Sequence, residues 1–414
     1  MIELTAPQHI RKTRIKLSGS KSISNRLLVL NEISGLDLSL ENLSDSEDTI
    51  LLKNALQQIK GNNKATIDIH HAGTDMRFLT AFLAVTEGEW TLTGSDRMKQ
   101  RPIGELVAAL RSIGADIRYV EKEDFPPVLI RGKKLTGGNI EIDSSVSSQF
   151  VSALLLITPA LEKGLSLTLK GNTVSWPYVN MTVSLLKNLG MRITQSHNKI
   201  IVEKSSALSH QSPIIIESDW SSASYWYSIC ALDGMAGIEL SILHKNSLQA
   251  DSVLPALYKN LGVKTTYKEG AIILKSIPPI AKNFDYDFTD CPDIAQTVAL
   301  TCFGLGIKAT LRGLSTLKIK ETDRIHALKT ELEKFGVSIV ITDDTLRIDK
   351  YPSSVKRLTH NISTYNDHRM AMSFAPLALL IKQLHIDDPA VVRKSYGSFW
   401  EDLKSVGFNV NLQP

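Results

Sequence analysis

The chain has 414 residues, more than one core of ordinary size holds, so two domains are expected. With 43% apolar and 22% charged residues its composition is that of a globular protein, and long disorder is excluded. The net charge of +4 is spread along the chain rather than gathered in a stripe, which argues against nucleic acid and suits a small anionic substrate.

The opening segment MIELTAPQHIRKTRIKL carries no long apolar stretch, so no secretory signal is expected. After the strand-like TRIKL, Gly19-Ser20-Lys21-Ser22-Ile23-Ser24-Asn25-Arg26 opens a helix through SNRLLVLNEIS. From there a pattern recurs: an amphipathic helix, a glycine turn and an alternating strand. It is degenerate at 50–62 and clear at 106–120, 183–196, 254–267, 328–341 and 400–412. Each of Gly114, Gly190, Gly262, Gly336 and Gly407 follows the last helical turn, where a left-handed backbone favours glycine. The copies lie roughly 70–76 residues apart, with a shorter first interval, and such a period signals duplicated folding units. Six units divided three and three make two similar domains, with a boundary near residue 218. Apolar helices with polar starts lie between the copies, at 147–161, 219–232, 293–306 and 367–380. No apolar run reaches the ~18 residues needed to span a bilayer. Cys230, Cys291 and Cys302 have unrelated spacings and form neither a disulfide framework nor a zinc site, so a reducing compartment, the cytoplasm, is expected.

The chemistry concentrates at helix starts. In GSKSISNR, small residues let backbone N–H groups approach an anion, with Lys21 and Arg26 close by. Ala72-Gly73-Thr74-Asp75-Met76-Arg77 opens another helix, and Arg97, Lys99 and Arg101 crowd three cations into five residues. Ser147 and Ser148, before Gln149, and Ser175 put hydroxyls at two further starts, where simple N-capping by Ser147 or Ser175 would also explain them. Asp293 with Gln296 reads either as a capping box or as a carboxylate with work to do. Lys320-Glu321-Thr322-Asp323-Arg324 is read as a helix start with Lys320 and Arg324 on one face and Glu321 between cations. That is either a surface salt-bridge face or an acid/base group in an anion site. Asp367-His368-Arg369 and Arg393-Lys394 complete the set. If the repeats aim these helix starts alike, they form a site for a ligand of several negative charges. No metal-ligand spacing, nucleophile elbow or dinucleotide fingerprint competes.

The segments GSKSISNR, AGTDMR, RMKQRPIG, SSVSSQF, KIKETDRIHAL and TYNDHRMAM resemble, in order, the signatures of the EPSP synthase family of enolpyruvyl transferases. The resemblance implies an α/β fold of two similar domains, each of three βαβαββ repeats around a pseudo-threefold axis, with the active site in the interdomain cleft. Residues 1–18 would join 219–414 in one domain, and 19–218 would form the other. It implies transfer of the enolpyruvyl group of phosphoenolpyruvate to the 5-hydroxyl of shikimate 3-phosphate by a cytoplasmic monomer, without metal or organic cofactor. Lys21, Gly73, Arg101, Gln149, Arg324, Arg369 and Lys394 match phosphoenolpyruvate-binding positions. Lys21, Ser22, Arg26, Ser147, Ser148, Gln149, Ser175, Asp293, Thr316 and Lys320 match positions around shikimate 3-phosphate. Asp293 is the expected base for the 5-hydroxyl, and Glu321 the expected acid for the methylene carbon, assisted by Lys21.

The chain departs from the family pattern at several positions. His71 stands for Asn, Asp75 for a small residue, Phe78 for Pro, Thr316 for Asn and Trp176 for Lys, and Lys394 lies in KSYG rather than KTFP. Asp75 and Phe78 flank Gly73, which leads to an expectation of weaker inhibition by glyphosate, a ligand of the phosphoenolpyruvate site. UDP-N-acetylglucosamine enolpyruvyl transferases share this fold but open with GKNA and carry a reactive cysteine where residues 97–101 have none. A non-catalytic anion-binding relative would not need both Asp293 and Glu321.

Overall fold

The computed structural model describes residues 1–10, 12–143, 147–171, 175–196, 198–204, 208–210, 213–351 and 360–413. Ser144, Ser145 and Val146 of the SSVSSQ segment lie outside them. The chain forms two compact units, Met1–Ser18 with Glu217–Pro414, and Gly19–Ile216.

The first unit is built from three four-stranded sheets of one plan. In the first, Asn283–Asp287 runs parallel to Lys308–Arg312, which pairs antiparallel with Leu346–Lys350, and Ser338–Ile341 closes the edge. The chain between supplies the helices Ala295–Leu305 and Arg324–Glu333, so the order is strand, helix, strand, helix, hairpin. The same order joins Thr13–Ile15, Gly237–Ser241, Ala271–Ser276 and Val263–Lys268. It joins His360–Ile362, Leu384–Ile386, Ile2–Thr5 and Asn409–Leu412 as well. The N-terminal strands are thus the missing members of sheets whose remaining strands come from beyond residue 217.

In the second unit, Lys64–Asp68, Gly88–Thr93, Val128–Gly132 and Asp116–Tyr119 repeat the plan. So do Gly138–Asp143, Leu165–Lys170, Lys199–Val202 and Ile193–Gln195. The third sheet is reduced: Ile214–Ile215 pairs parallel with Leu40–Glu41. The helix Glu47–Lys60 then leads directly into Lys64–Asp68 of the neighbouring sheet, with no hairpin. The degenerate first copy of the sequence pattern is this truncated unit. Its Gly61 has φ −93°, whereas Gly114, Gly190, Gly262, Gly336 and Gly407 have φ of 99°, 90°, 95°, 81° and 110°. A non-glycine residue in the left-handed region costs roughly 1–2 kcal/mol, which accounts for glycine at the five full copies.

In each unit the first helices of the three repeats pack on one another. These are Trp220–Asp233, Ala295–Leu305 and His368–Phe374 in one, and Lys21–Ser34, Gly73–Val85 and Ser148–Leu156 in the other. Enclosed by their neighbours, they are apolar around most of their circumference, which is why no stripe marks them. Two stop earlier than their apolar runs. The proline rings at Pro159 and Pro376 lack the N–H that would continue the ladder, and 3₁₀ turns follow at Thr158–Ala160 and Ala375–Leu379. Gly19 enters the second unit at a place where a Cβ would lie 1.8 Å from the Asn42 carbonyl oxygen. Cys230, Cys291 and Cys302 are buried free thiols. Among the described residues no helix is long and apolar enough to cross a membrane.

Candidate active site

The candidate residues sit at the N-termini of the central helices, and hydrogen bonds draw those termini together within each unit. In the second unit Lys21 begins the helix Lys21–Ser34 and pairs with Asp48, Nζ to Oδ2 2.9 Å. Gly73 begins the next. An added Cβ there would stand 2.2 Å from Nη1 of Arg101, so the guanidinium lies against the open backbone of this helix start. Arg77 fixes the pair by donating to the carbonyls of Gly73 (3.1 Å) and Pro102 (3.0 Å). Gln149 donates through Nε2 to the Thr74 hydroxyl at 3.2 Å and joins the third helix start to the second. Two backbone helix starts and the side chains of Lys21, Arg101 and Gln149 together make an arrangement that suits an anion.

The first unit carries the titratable cluster. Arg324, 2% exposed, donates to three carboxylates: Asp367 (Nε–Oδ2 2.6 Å), Glu321 (Nη2–Oε2 2.8 Å) and Asp293 (Nη1–Oδ1 3.2 Å). Arg369 holds the other oxygen of Asp293 at 3.1 Å and the Asp293 carbonyl at 3.0 Å. Lys394 reaches Oε1 of Glu321 at 2.6 Å. Burial alone would raise Asp293, but Arg369, Lys320 and Arg324 hold it far below the usual carboxylate range. Burial likewise opposes the Glu321 charge, and Arg324, Lys394 and His368 outweigh it. Both groups are ionised in this state. Among the described residues no group of three or more His, Cys, Asp or Glu side chains is placed to hold a metal ion.

A family model described as EPSP synthase (3-phosphoshikimate 1-carboxyvinyltransferase) matches residues 58–403. The chain is 46% identical over 415 residues to a 3-phosphoshikimate 1-carboxyvinyltransferase of Bacteroides fragilis (strain YCH46), covering 99% of this chain and 98% of the relative. The chain belongs to the EPSP synthase family. A member from Photobacterium damsela subsp. piscicida is 35% identical, with 97% of this chain and 98% of the relative covered. Among solved structures, EPSP synthase from Acinetobacter baumannii superposes with a TM-score of 0.77 at 20% identity, over 99% of this chain and 100% of that one. The enolpyruvyl transferase NikO from Streptomyces tendae superposes with 0.74 at 15% identity, over 100% and 99%.

The two-unit α/β fold is that of the family's solved members. The structure corrects four local readings. Lys320 and Glu321 precede the helix, which runs from Arg324 and is capped by Asp323, so Lys320 and Arg324 share no helix face. Glu321 meets Arg324 because the chain turns there, and the site it enters is largely buried rather than a surface face. No capping box forms at Asp293: it lies in the 3₁₀ turn Pro292–Ile294 with its oxygens on arginines, while the Gln296 amide donates to the Met370 sulfur. Ser147 does cap its helix, accepting from the Gln149 N–H at 3.2 Å. Ser175 does not: it has φ 55° and makes no capping bond.

Arg26 is 2% exposed and turned inward, donating to Thr182 (2.7 Å), the Ser22 carbonyl (2.8 Å) and Ser152 (3.2 Å). Ser148 is buried and Ser22 half-buried at their helix starts. Thr316 lies on the 3₁₀ turn Ser315–Ile319, and its buried hydroxyl makes no hydrogen bond. The basic run 97–101 divides, with Lys99 paired to exposed Glu121 at 2.8 Å and Arg101 against Gly73. Sequence reasoning missed Asp48 and Asp251 as parts of these clusters, and named Arg77, Asp367 and His368 within their motifs without a role for them. Asp48 and Asp251 had no such signal, since neither lies in a motif that the sequence marks. Asp251 is 6% exposed, and burial first, then Asp293, push its carboxyl up to about 7.

Proposed function

We propose that the chain transfers the enolpyruvyl group of phosphoenolpyruvate to the 5-hydroxyl of shikimate 3-phosphate, releasing phosphate and forming 5-enolpyruvylshikimate 3-phosphate. The observation that carries this reading is the pairing of Asp293 and Glu321 with Arg324, Arg369 and Lys394. Two half-buried carboxylates are held ionised by cations that an anionic substrate would claim.

Phosphoenolpyruvate is held by Lys21, the Gly73 backbone, Arg101, Gln149, Arg324, Arg369 and Lys394. Shikimate 3-phosphate engages Lys21, Ser22, Ser147, Ser148, Gln149 and Ser175, with Lys320, Thr316 and Asp293 at its ring. Arg26, which makes four hydrogen bonds inside the unit, acts by shaping this group. As the substrate's negative charge occupies Arg324, Arg369 and Lys394, their hold on the carboxylates weakens and both pKa values rise. Asp293 then becomes a competent base and Glu321 can carry a proton.

The 5-hydroxyl oxygen forms a bond to C2 of phosphoenolpyruvate while its proton passes to Asp293. Glu321, assisted by Lys21, delivers a proton to the methylene carbon, and a tetrahedral intermediate results. Cleavage of the C2–O bond to phosphate, with return of a methyl proton to Glu321, restores the double bond as the enol ether. The reaction needs no metal or organic cofactor, and the chain works as a cytoplasmic monomer with small-molecule partners, not nucleic acid or membrane.

Because NikO shares the fold, the fold alone does not choose the acceptor. The serine hydroxyls and Lys320 favour a phosphorylated polyol. The test of the roles is Asp293→Ala and Glu321→Ala, each expected to cut turnover ~10²-fold or more while substrate binding survives. Normal turnover in Glu321→Ala returns Glu321 to an ion pair with no chemical role.

A further inference from the structure

Asp75 is fully buried three residues into the helix Gly73–Val85. Its Oδ1 accepts from Asn25 Nδ2 at 2.8 Å, across to the helix Lys21–Ser34. The other end of that amide accepts from the Thr49 hydroxyl at 2.6 Å, and Thr49 lies 3.0 Å from Ser46 Oγ, which caps the helix Glu47–Lys60. Asp48, beside Thr49, holds Lys21. One buried chain of hydrogen bonds therefore runs from the turn carrying Gly73, through the helix that Lys21 opens, to the first turn of the helix Glu47–Lys60, where Asp48, next to Thr49, pairs with Lys21. Such networks fix a geometry only when every link is made.

We propose that Asp75 is a positioning residue: its bond to Asn25 clamps the Gly73 helix start to the helix of Lys21 and so sets the affinity for phosphoenolpyruvate. This rests on the function proposed above and names a residue beyond the ones that touch substrate. Burial, with Asp48 next, pushes the Asp75 carboxyl well above its ordinary range against the opposing pull of Lys21 and Asn25. An asparagine of the same shape keeps an acceptor for Asn25.

The test measures KM for each substrate, kcat and thermal midpoint for the wild type, Asp75→Ala, Asp75→Asn, Asn25→Ala and the double alanine variant. Loss of the buried link should raise KM for phosphoenolpyruvate about tenfold in Asp75→Ala and in Asn25→Ala. KM for shikimate 3-phosphate and kcat should stay within about threefold, and Asp75→Asn should stay within about threefold throughout. The double variant should be no worse than either single one, because both remove the same link. Should Asp75→Ala fail to fold, Asn25→Ala tests the same clamp from its other side. The proposal is overturned by an Asp75→Ala KM within about twofold of wild type, by both KM values rising together, or by an asparagine variant as impaired as the alanine. A wild type without turnover contradicts the proposed function, and this role with it. An active wild type with unaffected variants contradicts the clamp alone.

Discussion

Replacing Asp367 by alanine tests whether the buried cluster holds the first unit together as well as serving chemistry. Asp367 is 0% exposed and accepts three hydrogen bonds: two from Arg324, at 2.6 and 3.3 Å, and one from the Arg369 N–H at 2.8 Å, which caps the helix His368–Phe374. Breaking a buried ion pair costs about 3–5 kcal/mol and losing a helix cap about 1 kcal/mol. Arg324 keeps Glu321 and Asp293, so its charge is not stranded, and the total should fall near 4 kcal/mol. Asp367→Asn keeps an acceptor for the cap but turns its NH2 toward Arg324 Nε, so it loses the charge and that hydrogen bond, and about 3 kcal/mol is expected. Glu333→Ala, which breaks the exposed pair with Lys329, should stay within about 0.5 kcal/mol. The assay is urea unfolding of the full chain followed by tryptophan fluorescence and far-ultraviolet circular dichroism. Fluorescence reports on both units, because Trp220, Trp226 and Trp400 lie in the first and Trp90 and Trp176 in the second. A loss below about 1 kcal/mol for Asp367→Ala would show that the cluster contributes little to the fold.

His368 gives a test in pH. It is 2% exposed, and burial first, then Arg369, Lys394 and Arg324, hold it well below its ordinary value despite Glu321. Its folded pKa is depressed, so the unfolded chain takes up more protons below about 6.5, and stability should fall with pH from there. The wild-type slope should exceed that of His368→Asn by up to about 1.4 kcal/mol per pH unit between roughly pH 6.5 and 5, and identical slopes refute it. Gly73→Ala should push Arg101 aside, since its Cβ would come within 2.2 Å of the guanidinium, and raise KM for phosphoenolpyruvate. An unchanged KM would mean Arg101 is not a ligand. Glyphosate should inhibit the wild type less than Phe78→Pro, because Phe78 is packed into the first turns of the helix it would contact and this change leaves the Asp75–Asn25 link intact. Equal inhibition constants dismiss that expectation.

The repeats were legible because five of their turns need a left-handed backbone, and glycine marks each one. The truncated third sheet of the second unit was not, since two-residue strands leave no alternation to read. At the site, helix starts rich in hydroxyls and cations pointed to an anion. The partner of each group was hidden: Asp293 followed by Gln296 has the form of a capping box until Arg324 and Arg369, distant in sequence, take its oxygens. Lys320-Glu321-Thr322-Asp323-Arg324 fits a helical spacing, and only the turn preceding Arg324 shows that the helix begins later. Asp75 stood out as a departure from the family pattern. Its role as a link depends on Asn25, fifty residues earlier, and no local spacing reveals such a contact.

The central claim is tested most directly by phosphate release from phosphoenolpyruvate with shikimate 3-phosphate or UDP-N-acetylglucosamine as acceptor, each with and without exhaustive chelation. Release is expected with shikimate 3-phosphate alone, undiminished by EDTA. Release driven by the nucleotide sugar, or activity lost to EDTA and restored by a divalent ion, would contradict it.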